Sequence, residues 1–133
     1  MFGKFFRDLR EISENVLIIV EGKRDKIVLE RLGIKNVYTI YELYKINFRK
    51  YREAIVLTDN DKKGRRLYKR IKEILEAEDL IVRDNYRRIF YKIIKTRSVE
   101  YLNSRIDKIK YIIDYDPLIL NGDIFYRDKI MDF

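Results

Sequence analysis

The chain has 133 residues, contains neither cysteine nor histidine, and carries 30 Lys and Arg against 22 Asp and Glu, for a net charge of +8. The length predicts one domain with its own core, and the missing residue types exclude disulfides, the usual zinc sites and His- or Cys-based catalysis. The positive charge favours a polyanionic partner. No apolar run is long enough to span a bilayer and the amino terminus is too charged for a secretory signal, so we expect a soluble, cytoplasmic protein without a membrane partner.

The first two-thirds of the chain alternate short apolar runs with amphipathic stretches. The first predicted elements are a helix over 5–16, a strand over 16–20, a loop over 21–25 and a helix over 26–34, with Gly33 near the carboxyl-terminal cap of that helix. A strand over 37–40, a helix or irregular crossover over 42–53 and a strand over 54–58 follow. The last two are a helix over 62–78 and a strand over 80–82; the apolar face of this helix is formed by Leu67, Ile71, Ile74 and Leu75. This rhythm predicts an α/β fold with about four parallel strands flanked by helices.

The pattern changes beyond residue 84. One or two helices are predicted over 85–114, and residues 115–133 remain open between a packed tail, a hairpin turning at Asn121-Gly122 and an arm that docks on another chain. Within the first of these helices, Ile89, Phe90, Ile93 and Ile94 are expected to be core, and Arg87, Arg88, Lys92 and Lys95 are candidates for an electrostatic surface. We therefore predict a single domain over 1–133, with a core at about 14–83 and a helical extension at about 84–133.

Acidic side chains follow two of the predicted strands. Glu21 comes directly after "VLIIV", Asp59 comes directly after "AIVLT", and Asp61 stands two residues later. Ligands of open parallel sheets bind beyond the carboxyl ends of the strands, so the three carboxylates converge if the first and third strands are neighbours. Three carboxylates so close together repel one another unless a cation lies between them, and their oxygen ligands suit Mg²⁺ or Mn²⁺. The plainer interpretation is that these residues serve as turn or helix caps.

Glycines and cations surround the acidic positions. Gly22 allows a sharp turn or the close approach of a ligand, and Gly64 avoids obstructing a phosphate or a neighbouring backbone. Asp25 either caps the helix that follows or supports the metal ligands from behind. The candidate nucleic-acid-binding cations are Lys23, Arg24, Lys62, Lys63, Arg65 and Arg66, which are alternatively solvated surface charges.

Two segments carry a resemblance to a known family. "VLIIVEGKRD" and "AIVLTDNDKKGRR" resemble the two signature motifs of the Toprim family, which includes the catalytic domains of primases and topoisomerases as well as several nucleases. Glu21 and Gly22 match the glutamate-glycine of the first motif. Asp59, Asp61 and Gly64 match the Asp-x-Asp and glycine of the second. The chain is most similar to small stand-alone Toprim proteins and to the ribosomal-RNA maturation nucleases.

The resemblance implies a Rossmann-like Toprim fold with Asp59 and Asp61 as Mg²⁺ ligands. Glu21 is the expected general acid/base, and we also predict that it shares the metal ion with the two aspartates. It also implies a phosphotransfer enzyme acting on nucleic acid. Because we expect neither a tyrosine-bearing topoisomerase domain nor the template and zinc modules of primases, a nuclease that cleaves structured RNA or DNA is the leading hypothesis. Such a hydrolase would serve RNA processing or DNA repair.

Two rival functions remain open at this point. The first is a non-catalytic module that binds metal and nucleic acid as a subunit of a replication, repair or RNA-processing assembly. The second is a receiver-like phosphoacceptor, which the Glu-Gly pair, the Asp-x-Asp spacing and the positive charge all disfavour. Protein partners and homo-oligomerisation are both compatible with the sequence.

Overall fold

The computed structural model describes residues 2–94 together with Val99, Leu102 and Ile106, and the predictions for the rest of the extension, including the hairpin at 121–122, lie outside the described residues. The helices are α1 (Phe2–Ile12), α2 (Lys23–Arg31), α3 (Lys62–Ala77) and α4 (Asp84–Ile94), and the strands are β1 (Leu17–Val20), β2 (Val37–Thr39), β3 (Glu53–Leu57) and β4 (Ile81–Val82). Two 3-10 helices, Ile40–Lys45 and Phe48–Lys50, form the crossover between β2 and β3.

The four strands form one parallel sheet in the order β2-β1-β3-β4. The predicted α/β architecture is confirmed, and β1 and β3 are neighbours. All four residues of β1 are buried, because helices cover both faces of the sheet. The β-branched run at 16–20 therefore reflects burial on two sides rather than one.

Alternate residues of β1 point into two separate cores, as the period of two in a strand requires. Ile18 and Val20 belong to a core shared with α1, α2 and α4, whose aromatic centre includes Phe6 and Phe90 at a ring-centroid distance of 6.1 Å. Leu17 belongs to the other core, beneath α3. The amino-terminal helix and α4 thus cover the same face of the sheet.

Several predicted element boundaries differ from the structure by a few residues, and side-chain hydrogen bonds explain two of them. The first helix ends at Ile12 rather than 16, because Ser13 turns the chain by donating to the Arg10 carbonyl (2.7 Å) and accepting from the Lys35 N–H (2.8 Å). The second helix begins at Lys23, inside the predicted loop, because the Asp25 carboxylate accepts the Gly22 N–H (3.1 Å).

The carboxyl-terminal cap of α2 is confirmed. Gly33 has a φ of +85°, and the N–H groups of Gly33 and Ile34 donate to the carbonyls of Glu30 and Leu29. This is the Schellman arrangement, in which the left-handed residue is usually glycine.

Two predicted core positions are wrong. Ile74 and Ile89 are 44% and 37% exposed, because each lies at the margin of its helix's buried face.

Candidate functional site

The two predicted motifs meet at the carboxyl edge of the sheet. Val20, the last residue of β1, pairs with Leu57, the last residue of β3, so the two strands end at the same level. Glu21 follows β1 directly, and its Oε1 accepts a hydrogen bond of 3.0 Å from the Asp59 N–H. The glutamate of the first motif therefore contacts the backbone of the second.

Residues 58–61, here called the acidic loop, connect β3 to α3 and are fixed by short hydrogen bonds. Thr58 is fully buried, and its Oγ1 donates to the Gly64 carbonyl at 2.7 Å. The Gly64 N–H donates to Asp61 Oδ1, also at 2.7 Å, which makes Asp61 the N-cap of α3. The loop is thus tied to the first turn of the helix that follows it.

The two motif glycines have different structural roles. A Cβ on Gly64 would collide with the Asp59 carbonyl oxygen and lie 2.6 Å from its carbonyl carbon, so the loop can pack against α3 only if residue 64 lacks a side chain. Gly22 has an extended backbone with φ −137°, and a Cβ there would be 3.8 Å from its nearest neighbour, Asp25 Oδ2. The chain bends at Gly22, but this backbone conformation does not require glycine, and the close approach of a ligand remains a prediction.

Two acidic side chains act as helix caps. Asp25 is 7% exposed and accepts the Gly22 N–H at the start of α2, as Asp61 does for Gly64 at the start of α3. Capping does not exclude a metal role for Asp61, because the N-cap hydrogen bond uses only one of the two carboxylate oxygens.

Helix α4 supports the acidic loop from the side opposite α3. Arg87 Nη2 donates to the carbonyl of Asp59 at 2.8 Å and to that of Thr58 at 3.3 Å, and the Tyr91 hydroxyl donates to the Thr58 carbonyl at 2.9 Å. The Arg87 guanidinium lies 4.9 Å from the ring centroid of Tyr68 and 5.4 Å from that of Tyr91. The backbone of the loop is therefore held by two side chains of a helix that lies beyond both motifs.

This support differs from what the sequence predicts. Arg87 is predicted on an electrostatic surface and Tyr91 has no predicted role, although the two residues are four apart and so share one face of the helix. Phe90 and Ile94, buried beside them, mark the core-facing side of α4. That adjacency of a cation to core positions was the available signal.

The charges of the acidic side chains affect the pKa values of Arg87 and Tyr91 in α4. Burial raises the pKa of the Tyr91 phenol far above its ordinary value, and nearby negative charges raise it further; these belong to Asp59, Asp25 and Glu21. Burial lowers the pKa of the Arg87 guanidinium, while Asp59 and Asp61 act in the opposite direction. Arg87 and Tyr91 thus lie within the field of the carboxylates at this edge.

The fit of a metal ion can be tested against this geometry. Within the described part of the chain, no three acidic side chains form a group that could enclose a metal ion, so the predicted convergence of Glu21, Asp59 and Asp61 is not present as such. Glu21 Oε1 and Asp61 Oδ1 each accept a backbone N–H instead. Mg²⁺, however, is usually held by one or two carboxylates plus waters and substrate phosphates, and the acidic loop offers two carboxylates two residues apart. The donor set fits Mg²⁺ in this mode.

The predicted nucleic-acid-binding cations lie at the same edge. Because α2 follows β1 and α3 follows β3, the amino-terminal ends of both helices point to the carboxyl edge of the sheet. The cations in their first turns are all exposed; they are Lys23, Arg24, Lys62, Lys63, Arg65 and Arg66. Helix amino-terminal ends and cations both attract phosphate oxygens.

The fold and the edge together define an α/β protein with carboxylates at the ends of two adjoining parallel strands. A family model described as the Toprim domain matches residues 15–84, which covers both motifs. The chain therefore belongs to the Toprim family.

Within that class, the chain is similar to archaeal proteins named UPF0292. It is 34% identical to one from Thermococcus sibiricus, over 71% of this chain and 83% of the relative. It is 31% identical to one from Methanocaldococcus jannaschii, over 79% of this chain and 94% of the relative. The solved structure of a protein from Aquifex aeolicus superposes with a TM-score of 0.66 and 29% identity, over 74% of this chain and 94% of that chain. No helix among the described residues is long and apolar enough to cross a membrane.

Proposed function

We propose that the protein is a Mg²⁺-dependent phosphotransfer enzyme that hydrolyses phosphodiester bonds in structured RNA or DNA. The observation that carries the proposal is the 3.0 Å hydrogen bond from the Asp59 N–H to Glu21, because it joins the ends of the two motif strands. Membership of the Toprim family supports the link to nucleic acid and to Mg²⁺. Because the chain has no histidine or cysteine, carboxylates with a hard metal ion are the simplest catalytic set.

In this proposal Asp59 and Asp61 hold the ion, which when bound polarises the phosphorus–oxygen bonds. The exposed cations in the first turn of α3 bind the non-bridging phosphate oxygens. Glu21 keeps Oε1 on the Asp59 N–H, so Oε2 is the atom that takes a proton from the attacking water. As the bond from water to phosphorus forms, the bond to the leaving oxygen breaks; the leaving oxygen takes a proton from solvent, and Glu21 afterwards releases its proton to solvent.

The second candidate is a module that binds nucleic acid without turnover. It is favoured by the use of Glu21 Oε1 and Asp61 Oδ1 as acceptors for backbone N–H groups, since a purely structural role needs nothing more. The exposed cations serve both candidates equally. Cleavage in the presence of a divalent ion is the property that separates them.

The test is incubation of the full chain with mixed cellular RNA and DNA fragments in Mg²⁺ or Mn²⁺. We expect cleavage by the natural sequence and none by Asp59→Asn or Asp61→Asn, since each substitution removes a charged ligand. Glu21→Gln should lower kcat by about 10²- to 10⁴-fold, the usual contribution of a general base.

The matched control is Asp79→Asn. Asp79 lies beyond the other end of the 16-residue α3 helix, about 24 Å from its start, and asparagine tolerates the φ of +66° found there. Asparagine also keeps the N-cap bond at position 61, so thermal unfolding should show all variants folded. Undiminished cleavage by both acidic-loop variants would contradict the proposal, and salt-sensitive binding with no cleavage by the natural sequence would favour the binding module.

A further inference from the structure

A concave feature lies beside the acidic loop. It is a cleft of about 480 Å³, a volume within the usual range of small-ligand sites. The residues that line it include Asn60 of the acidic loop, Tyr68 of α3, and Arg87, Arg88, Tyr91 and Lys92 of α4. None of Glu21, Asp59 and Asp61 is among its lining residues, so the cleft is separate from the candidate metal ligands.

The cleft is positively charged. Arg87, Arg88 and Lys92 line it together with a single carboxylate, that of Asp84, which is itself bound by Lys72 Nζ at 3.0 Å. The positive charge of Arg65, from the first turns of α3, also reaches Arg87. Like charges gathered in one concave site repel each other unless an anion joins them. The charge of the cleft therefore favours an anionic ligand.

Two residues that line the cleft have buried polar atoms without a hydrogen-bond partner in the described part of the chain. Arg87 is fixed between the rings of Tyr68 and Tyr91, and its Nη2 is used by the Asp59 carbonyl. Its Nε is buried and, among the described residues, has no hydrogen-bond partner, and the same is true of the Tyr68 hydroxyl. Native structures rarely leave buried donors unsatisfied. After a small side-chain shift, an entering ligand that offers acceptor oxygens would satisfy both groups.

We propose that this cleft is a phosphate-binding subsite that holds a phosphodiester group of the substrate strand next to the group at the acidic loop. Phosphate oxygens are acceptors that match the guanidinium donors of Arg87 and Arg88, and Lys92 adds a point charge. Asn60 stands between Asp59 and Asp61 in sequence and lines the cleft, so the acidic loop borders both the cleft and the candidate metal ligands. The inference rests on the proposed function in one respect, that the strand is nucleic acid.

The test measures binding rather than cleavage. The double variant Arg88→Gln, Lys92→Gln alters two exposed residues, so it should fold normally. Its matched control is Arg49→Gln, Lys50→Gln, which removes the same two charges from exposed residues just before β3, at the opposite edge of the sheet. Each protein is titrated with a labelled single-stranded oligonucleotide of about 12 nucleotides, in EDTA, at several salt concentrations.

We expect the cleft variant to bind more weakly and to lower the slope of log K against log salt by about 0.7, which corresponds to the loss of one phosphate contact on a single strand. The control should keep the natural slope. Equal slopes for the two double variants would overturn the proposal, because the cations would then act only through net charge.

A competition experiment identifies the source of the phosphate. Inorganic phosphate and a mononucleotide should displace the oligonucleotide far less effectively than an unlabelled oligonucleotide of the same length. Displacement by inorganic phosphate at equal phosphate concentration would overturn the assignment to a strand. All titrations are done in EDTA, so they do not depend on the metal ion. An unchanged salt slope in the cleft variant would therefore contradict the phosphate subsite without bearing on the proposed function. Cleavage that survives in Asp59→Asn and Asp61→Asn would contradict the proposed function without bearing on the subsite.

Discussion

The position of a single residue, Asp59, is determined by side chains from two different elements. Glu21 accepts its N–H, and Arg87 donates to its carbonyl. The backbone on both sides of this carboxylate is therefore fixed before any ligand arrives. A site whose groups are held in place by packed neighbours needs little reorganisation on binding.

Tyr91→Phe tests the contribution of α4 to this arrangement. The variant loses the buried hydrogen bond to the Thr58 carbonyl, but that carbonyl keeps its bond from Arg87. We therefore expect the free energy of unfolding to fall by about 1 kcal/mol, the usual value for one neutral hydrogen bond. Urea denaturation measures the change.

The control for this substitution is Tyr44→Phe, at a side chain that is 82% exposed, and it should leave the free energy of unfolding unchanged. If Tyr91→Phe were as stable as the natural sequence, the hydroxyl would contribute nothing to holding the loop.

The residues of the two motifs could be predicted from the sequence, whereas their support could not. Glu21 and Asp59 follow apolar runs, and such runs signal where buried strands end. The roles of Arg87 and Tyr91 depend on how α4 lies against β3, which is a matter of tertiary packing that no local spacing encodes. For the same reason the sequence favoured a three-carboxylate group, although one oxygen of Glu21 and one of Asp61 each accept a backbone N–H.

At the scale of elements, the site consists of two similar strand-loop-helix units. In each, a strand ends at the carboxyl edge, an aspartate accepts an N–H at the start of the helix, and exposed cations occupy the first turn. The units differ in how closely the loop packs on its helix. A Cβ on Gly64 would collide with the Asp59 backbone, whereas a Cβ on Gly22 would make only an ordinary van der Waals contact with Asp25.

This difference predicts unequal outcomes for two alanine substitutions. Gly64→Ala should lower the free energy of unfolding by about 3 kcal/mol, because the backbone of the acidic loop must move to accept a methyl group. Gly22→Ala should change it by less than about 1 kcal/mol, since the φ of −137° suits any residue while alanine is a poorer N-cap than glycine. Thermal or urea unfolding of the two variants gives the comparison.

The cleavage activity of a stable Gly22→Ala variant tests the role of Gly22 separately. A loss of activity without a loss of stability would assign Gly22 to the close approach of a ligand. Equal stability of the two variants would contradict the tight packing described for Gly64.

Element types were easier to predict than element ends. The four strands and α3 follow from apolar periodicity, which reports burial over several residues. The end of α1 and the start of α2 depend on single hydrogen bonds of Ser13 and Asp25, and each of these polar residues is compatible with either a loop or a cap.

At the scale of the whole molecule, strand order brings the functional groups together. The order β2-β1-β3-β4 places the two motif strands side by side, so that the acidic loop, two helix amino-terminal ends and the cationic cleft share one edge of the sheet. The net charge of +8 adds a long-range attraction for polyanions. Acidic groups concentrated at one edge of a basic protein are the arrangement expected for a metal ion that meets a phosphate.

The most direct test of this account is Mn²⁺ binding followed by electron paramagnetic resonance, with Mg²⁺ as competitor. We predict one Mn²⁺ per chain, displaced by Mg²⁺, with affinity reduced by about 100-fold in Asp59→Asn and in Asp61→Asn and unchanged in Asp79→Asn. The account would be contradicted if the natural sequence bound no Mn²⁺, or if both acidic-loop variants bound it as tightly as the natural sequence.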